Sequence, residues 1–327
     1  MKRIAFDVMG NDNGVKNGVL AALDFSDKFL DYTFILVGSK VEINKYVKES
    51  ERIKIIDMPE IANKDIGARA ARLTNNSMSA AINLVKDGSA DAVISAGNSA
   101  IYLSMATLSL KRMNGVKRPA FMAVFPTIIK DQRFVMTDVG ANLTVTPEML
   151  MQWATLGSSF SNAVLGIENP KVNIVNIGEE DSKGPSVSKE ANLELKKSKI
   201  INYKGFIEPK NLLSGKTDVA IVDGYAGNMI LKTMEGTMSS LFNIIRTNLK
   251  SKLRYKIGAL ISKGAFTQIK EDLNYKSVAL AWVVGLKKFA IKIHGNSDRE
   301  SYMGAFTELS KALDNDALAK LQKEFNK

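Results

Sequence analysis

The chain has 327 residues, close to half of them hydrophobic and about a quarter charged, with a formal net charge of +11. Such proportions fit a globular protein with a substantial core and exclude long disorder, and the length allows two domains or one large α/β body. The absence of Cys and the presence of one His, His294, exclude a disulfide framework, a Cys nucleophile and any zinc site built from Cys or several His ligands.

The first apolar run, in MKRIAFDVMGND, is broken by Asp7 too early for a signal peptide. No stretch approaches the ~18 unbroken apolar residues of a spanning helix. A cytoplasmic protein is expected, one that touches a membrane surface at most. The positive charge is spread along the chain and is compatible with anionic partners of several kinds.

In chain order, strands are predicted at 3–7 (RIAFD), 33–38 (TFILVG) and 53–57 (IKIID). A helix over 79–86 stops at Gly88, and a strand follows at 92–95 (AVIS). A second helix spans 102–113 and stops before Gly115; strands at 121–125 (FMAVF) and 133–138 (RFVMTD) come next. The helix over 147–165 opens with a Thr146 cap and Pro147 and ends before Gly166. A strand at 172–177, a charged amphipathic helix over 186–198 and a strand at 219–223 follow. The last strand is at 289–294 (FAIKIH). Most strands read as continuous apolar runs, as strands buried on both faces do. Their alternation with helices predicts a three-layer, doubly wound, mostly parallel α/β sheet of Rossmann-like type in one domain spanning 1–327.

Residues 229–273 break this rhythm. Apolar residues at Met234, Met238, Leu241, Ile245, Leu249, Leu253, Ile257 and Leu260 mark one helix face. From Arg246 to Lys270 there are seven basic residues and no acidic one. Gly258 and Gly264 suggest a turn between two helices, so a helical hairpin inserted in the sheet domain is expected. Its apolar face suits a core or dimer contact. Its basic face suits anionic lipid, where each Lys or Arg adds ~1 kcal/mol.

Turn residues crowd the ends of six predicted strands. They are Gly10 and Asp12; Gly97, Asn98 and Ser99; Gly140 and Asn142; Gly178; Gly224, Gly227 and Asn228; and Gly295 and Ser297. In an open parallel sheet such ends share one edge, where ligands bind. Glycine amides approach phosphate oxygens closely, helix N-termini favour anions, and Asn can donate to an oxyanion. Each cluster alone reads equally as an ordinary turn. P-loop, dinucleotide-fold and serine-hydrolase fingerprints are all missing. Aromatic residues are not interleaved with basic ones, so no nucleic-acid partner is expected.

The stretches SMSAAINLVKDGSADAVISAGNSA, TDVGAN, GIENPKVNIVNIGEEDSKG, DGYAGNMILKTMEG and IKIHGNSD resemble, in this order, the bacterial phosphate acyltransferases of phospholipid synthesis, the PlsX family. MGND and SAGNSAI depart from the usual pattern, which has a second Gly before the Asp and a Thr-Gly pair after the Asn. The resemblance implies transfer of a fatty acyl group from acyl carrier protein to inorganic phosphate. It also implies a homodimer, loose association with the cytoplasmic membrane and delivery of product to a downstream membrane acyltransferase. No cofactor or metal is implied.

For a thioester donor and no Cys, direct attack by phosphate is the economical scheme. Lys183 is the expected phosphate or oxyanion partner, and Asn228 a further donor. Asp223 is expected to orient Lys183 or His294. His294 is expected to protonate the leaving sulfur or bind phosphate. Lys111, Arg112, Lys117 and Arg118, or the basic run of the hairpin, suit docking of an acidic carrier protein. Rival readings are a short-chain acyl-coenzyme A enzyme, a decarboxylating hydroxyacid dehydrogenase and a non-catalytic membrane-surface scaffold.

Overall fold

A computed structural model describes residues 1–63, 65, 70, 74–272 and 280–325. The first half of the chain forms β1 (Lys2–Asp7), α1 (Lys16–Lys28), β2 (Tyr32–Gly38), α2 (Lys40–Ile43), β3 (Ile53–Asp57), α3 (Ser77–Lys86), β4 (Ala92–Ser95), α4 (Ser99–Leu110), β5 (Ala120–Pro126), β6 (Arg133–Thr137) and α5 (Pro147–Leu165). The second half forms β7 (Val172–Val175), α6 (Ser186–Lys197), β8 (Tyr203–Ile207), β9 (Val219–Ile221), α7 (Gly224–Ser251), α8 (Leu253–Ile261), α9 (Lys263–Asp272), β10 (Leu280–Val284), β11 (Phe289–Ile293), α10 (Arg299–Asp314) and α11 (Ala317–Phe325).

The eleven strands of the described residues join one sheet in the order β3-β2-β1-β4-β11-β10-β5-β6-β9-β7-β8. The five strands from β3 to β11 run parallel, as do the four from β6 to β8. Between the two blocks, β10 and β5 pair antiparallel with every neighbour. The two blocks therefore point in opposite directions. This corrects the expectation that all strand ends share one edge: the ends of β1, β4 and β11 lie on one edge, and those of β6, β9 and β7 on the other.

Helices cover both faces of the sheet. On one face, Phe6, Phe25, Phe34, Tyr302 and Phe306 pack into a single aromatic cluster, with Phe34 and Phe306 ring centroids 4.8 Å apart. On the other face, α3, α4 and the root of α7 bury Ile82, Tyr102, Met105 and Leu231. Local signals set the helix ends. Thr146 Oγ1 accepts from the Met149 amide, and Gly166 closes α5 at φ 70°. Asn98 accepts from the Ala100 and Ile101 amides, so α4 begins three residues earlier than its apolar pattern predicts.

Only the first turns of α7 are seated on the sheet, through buried Gly224, Gly227 and Leu231. Beyond them Leu241, Ile244, Leu253, Ile257, Leu260 and Ile261 stay exposed, and α8 buries no residue. These helices are the projecting hairpin. One break falls at Lys252, which is extended at φ −132° and ψ 149°, and a second at Ser262 between α8 and α9, so a turn does lie between Gly258 and Gly264 although Gly258 itself is inside α8. Gly258 and Gly264 have open space around them, so neither glycine is demanded by packing. An apolar groove lined by Phe242, Ile245, Leu249 and Phe266 runs along the hairpin, with Arg246, Lys250, Lys256 and Lys263 on its walls. Among the described residues no helix is long and apolar enough to cross a membrane.

Phe306 touches four of the other aromatic rings and is fully buried. Phe306→Ala is expected to cost about 3–5 kcal/mol of folding stability. Chemical denaturation will show this as a lowered midpoint with an unchanged slope.

Candidate active site

The edge formed by β6, β9 and β7 holds Asp138, Asp223 and the Lys183 turn. The Asp138 carboxylate is fully buried. Its Oδ1 accepts from the Phe121, Gly140 and Ala141 amides, and its Oδ2 from the Asn142 amide and Nδ2. Burial pushes its carboxyl above the ordinary range, with these donors pulling the other way. The second Nδ2 bond of Asn142 goes to the Pro119 carbonyl at 2.9 Å, and its own carbonyl accepts from the Gly224 amide at 2.8 Å. Asn142 thus fixes the turn rather than presenting free donors.

The N-terminus of α7 presses on this turn. A Cβ on Gly227 would collide with the Asp138 carbonyl, and one on Gly224 would lie 2.6 Å from the Asn142 carbonyl oxygen. Both glycines are required by close approach, and both amides are already bonded within the protein. Asp223 caps α7, its Oδ1 accepting from the Tyr225 and Ala226 amides. Nothing in this geometry brings Asp223 against Lys183 or His294. The exposed Asn228 side chain lies over Gly140, 3.5 Å from where a Cβ there would stand. Lys183 folds back across Gly178 and pairs with Glu180 at 3.1 Å, its side chain half exposed.

The opposite edge gathers the ends of β1, β4 and β11. Asp7, Ser95 and Lys292 are register partners across these three strands. Ser95 Oγ donates to Asp7 Oδ2 at 2.6 Å. Lys292 is only 8 % exposed. Its Nζ donates to the Ala96 carbonyl at 3.2 Å and to the Ile293 carbonyl, tying together the turns that carry Gly97 and His294. Burial pulls the ammonium down to about 8, while the charges of Asp7 and Asp12 act in the other direction. Burial likewise raises the Asp7 carboxyl, against hydrogen bonds from Ser95 and Ser77.

Around this rung the turns interlock. A Cβ on Gly10 would strike the Gly97 backbone, and one on Gly295 would stand 2.8 Å from Asp12 Oδ2. Asn11 Nδ2 donates to the Ser297 carbonyl and to Tyr302 Oη. Ser297 Oγ is buried without a hydrogen-bond partner among the described residues. His294 Nε2 meets Glu235 Oε1 at 3.1 Å, and the same carboxylate accepts from Lys232 Nζ at 2.8 Å. Burial opposes ionisation of Glu235, but its bonds to His294 and Lys232 outweigh it and hold the carboxyl below the ordinary range.

A cleft of about 810 Å³ joins the two edges. It follows α4 from Asn98 and Ser99 past Leu103, Thr107 and Leu108, and reaches Gly140, Ala141 and Asn142. Arg112, Lys117 and Arg118 line it too. The structure therefore places Asn98, Ser99, Gly140 and Asn142 around one space, with Asn228 adjoining at Gly140. Gly10, Asp12, Gly295, His294 and Ser297 sit together on the β11 edge. Gly178 and Lys183 belong to the separate turn after β7. The candidates drawn from the sequence did not include Asp7, Ser95, Asp138, Lys232, Glu235 or Lys292. The readable signal was Lys292, a lone charge within the apolar run FAIKI.

The family profile described as "Fatty acid synthesis protein" matches residues 2–320. A phosphate acyltransferase from Mycoplasma mobile is 48 % identical over 97 % of this chain and 98 % of its own. The chain belongs to this family. It is thereby an acyl-transferring enzyme, of the group its motifs resemble. The fold is shared more widely. A phosphotransacetylase from Streptococcus pyogenes superposes with a TM-score of 0.63 at 18 % identity, covering 95 % of this chain and 93 % of the other. A 4-hydroxythreonine-4-phosphate dehydrogenase from Klebsiella pneumoniae gives 0.53 at 12 %, covering 95 % and 100 %. At such identities the architecture alone is common ground, and it carries more than one chemistry.

The Lys292 ammonium makes a pH prediction possible. Its folded value of about 8 lies below the ordinary 10.5. The folded state therefore sheds this proton first, and the unfolded state holds more protons between the two values. Stability from this group rises as pH increases through that window. Relative to Lys292→Met, the wild type is expected to gain on the order of 2 kcal/mol between pH 7 and 10. Paired denaturant titrations at the two pH values measure it.

Proposed function

We propose that the chain transfers a long-chain acyl group from the thioester of acyl carrier protein to inorganic phosphate for phospholipid synthesis. The observation that carries this reading is the cleft itself, with Asn98 and Ser99 at one end, the exposed Asn228 side chain adjoining Gly140 at the other, and Arg112, Lys117 and Arg118 among its walls. Relatives named phosphate acyltransferase point to the same reaction. A phosphate oxygen attacks the thioester carbonyl, the tetrahedral oxyanion collapses, the C–S bond breaks, and acyl phosphate and the carrier thiol separate. No covalent enzyme intermediate is needed. The protein's work is to position two anionic reactants and to stabilise the oxyanion.

In this reading Asn228, beside Gly140, donates to the reacting carbonyl, and Lys183 swings from Glu180 to a phosphate or oxyanion oxygen. His294, flanked by Lys232, binds phosphate or protonates the leaving sulfur. The basic residues at the cleft receive the acidic carrier. The whole chain acts as one catalytic domain, with 229–273 as its hairpin insertion. The exposed apolar residues of the hairpin, with Arg246, Lys250 and Lys256 nearby, fit a second copy of the chain and a cytoplasmic membrane surface. There the product would pass to a membrane acyltransferase.

The deciding assay mixes the protein with long-chain acyl carrier protein and phosphate, omits each in turn, and replaces the donor by acyl-coenzyme A. Acyl phosphate is expected only with both substrates present, and faster from the carrier protein; equal or better use of short-chain acyl-coenzyme A would overturn the donor assignment. Lys183→Ala and Asn228→Ala are each expected to lower the rate ~10²-fold or more. Near-normal turnover in both removes them from the mechanism.

A further inference from the structure

We infer that Glu235 is a positioning residue for acyl transfer, holding the His294 ring by its Nε2 and anchoring Lys232 beside it. This deepens the reaction proposed above and rests on it. The bonds are Glu235 Oε1 to His294 Nε2 at 3.1 Å and Lys232 Nζ to Glu235 Oε2 at 2.8 Å. Glu235 and His294 are partly buried, while Lys232 lies at the surface beside them.

The origin of the carboxylate matters. Glu235 rides on α7, whose root is jammed under the Asp138 turn through Gly224 and Gly227. The helix starts in the β6–β8 block and delivers Glu235 to a turn of the β3–β11 block. Seven residues, about 10 Å of helix, separate it from Asn228. Asn228, Lys232 and Glu235 follow at i, i+4 and i+7, along one side of the helix. The same rigid element thus carries a candidate carbonyl donor beside the cleft at Gly140 and, further along, the support of the imidazole on the β11 edge.

The backbone of His294 is held independently. Lys292 bonds the preceding carbonyl, and the Ser297 amide donates to the His294 carbonyl at 3.2 Å. With backbone and ring both fixed, the imidazole has one orientation. A ring nitrogen facing a carboxylate oxygen carries the proton, so Nδ1 is the nitrogen left for the reactants.

A merely structural ion pair between the blocks predicts something different, and conservative variants separate the two. Glu235→Gln keeps an oxygen that accepts from Nε2–H, whereas Glu235→Ala does not. Glu235→Ala is expected to lower kcat ~10²-fold with little change in KM for phosphate, and Glu235→Gln to recover most of the loss. Because Glu235 acts through His294, adding Glu235→Ala to His294→Ala is expected to cost no more than His294→Ala alone. The single histidine offers a readout free of activity. In ¹⁵N-histidine-labelled protein without a histidine tag, a protected ring N–H on Nε2 is expected in wild type and Glu235→Gln and is lost in Glu235→Ala. Wild-type turnover in Glu235→Ala, multiplicative losses in the double variant, or no protected ring N–H in wild type each overturns the inference. A wild-type protein that makes no acyl phosphate overturns the reaction reading, while the ring N–H still reports whether the contact exists.

Discussion

The seat of α7 on the Asp138 turn is the contact on which the candidate site depends. Glycines at the first and fourth positions of the helix let its backbone lie directly on the carbonyls of Asn142 and Asp138. Asp138 in turn spends both carboxylate oxygens on five donors from the β5 start and its own turn. A buried carboxylate so fully bonded resists rearrangement, because each donor it released would be left unpaired in the interior. The direction of α7 is therefore fixed at its root, and everything the helix carries is aimed by that root.

The opposite edge is built on a different principle. There a buried ammonium does the fixing. Among the described residues no carboxylate pairs directly with Lys292; it bonds two carbonyls and feels Asp7 and Asp12 through space. Such a group is expensive to bury and is retained where its hydrogen bonds define a geometry. Here the geometry is the meeting of the Gly97 and His294 turns. Hydrogen bonding at one edge and a buried cation at the other hold the two ends of a single cleft.

Much of this was legible in the sequence, though unevenly. The capped helix at 147–165 and the apolar strands are local properties, and local physics wrote them. The glycine and asparagine clusters were visible too, but their purpose was not. Gly224, Gly227 and Asn142 looked like ligand donors, yet they serve close packing and turn closure, because a short-range pattern does not reveal which backbone lies opposite. The strand β10 (LAWVV) is absent from the predicted strands, because its partner in β5 lies about 160 positions away. The reversal of sheet direction comes from the β5–β6 hairpin, whose strands are both legible while their antiparallel pairing is not. Glu235 lies within an amphipathic helical pattern that gives no sign of its partner, and only the fold brings it to His294.

The strand order also has a consequence for how the chain is made. β11 lies between β4 and β10 in the middle of the sheet, yet its residues are 289–293. While the polypeptide leaves the ribosome, β4 has an unpaired flank from the time residue 95 emerges until almost two hundred further residues have followed. Exposed parallel edges are slow to fill and prone to the wrong partner. The Asp7, Ser95 and Lys292 rung cannot assemble before that slot closes. Completion of this edge is therefore a late event in biogenesis, tied to correct docking of β11.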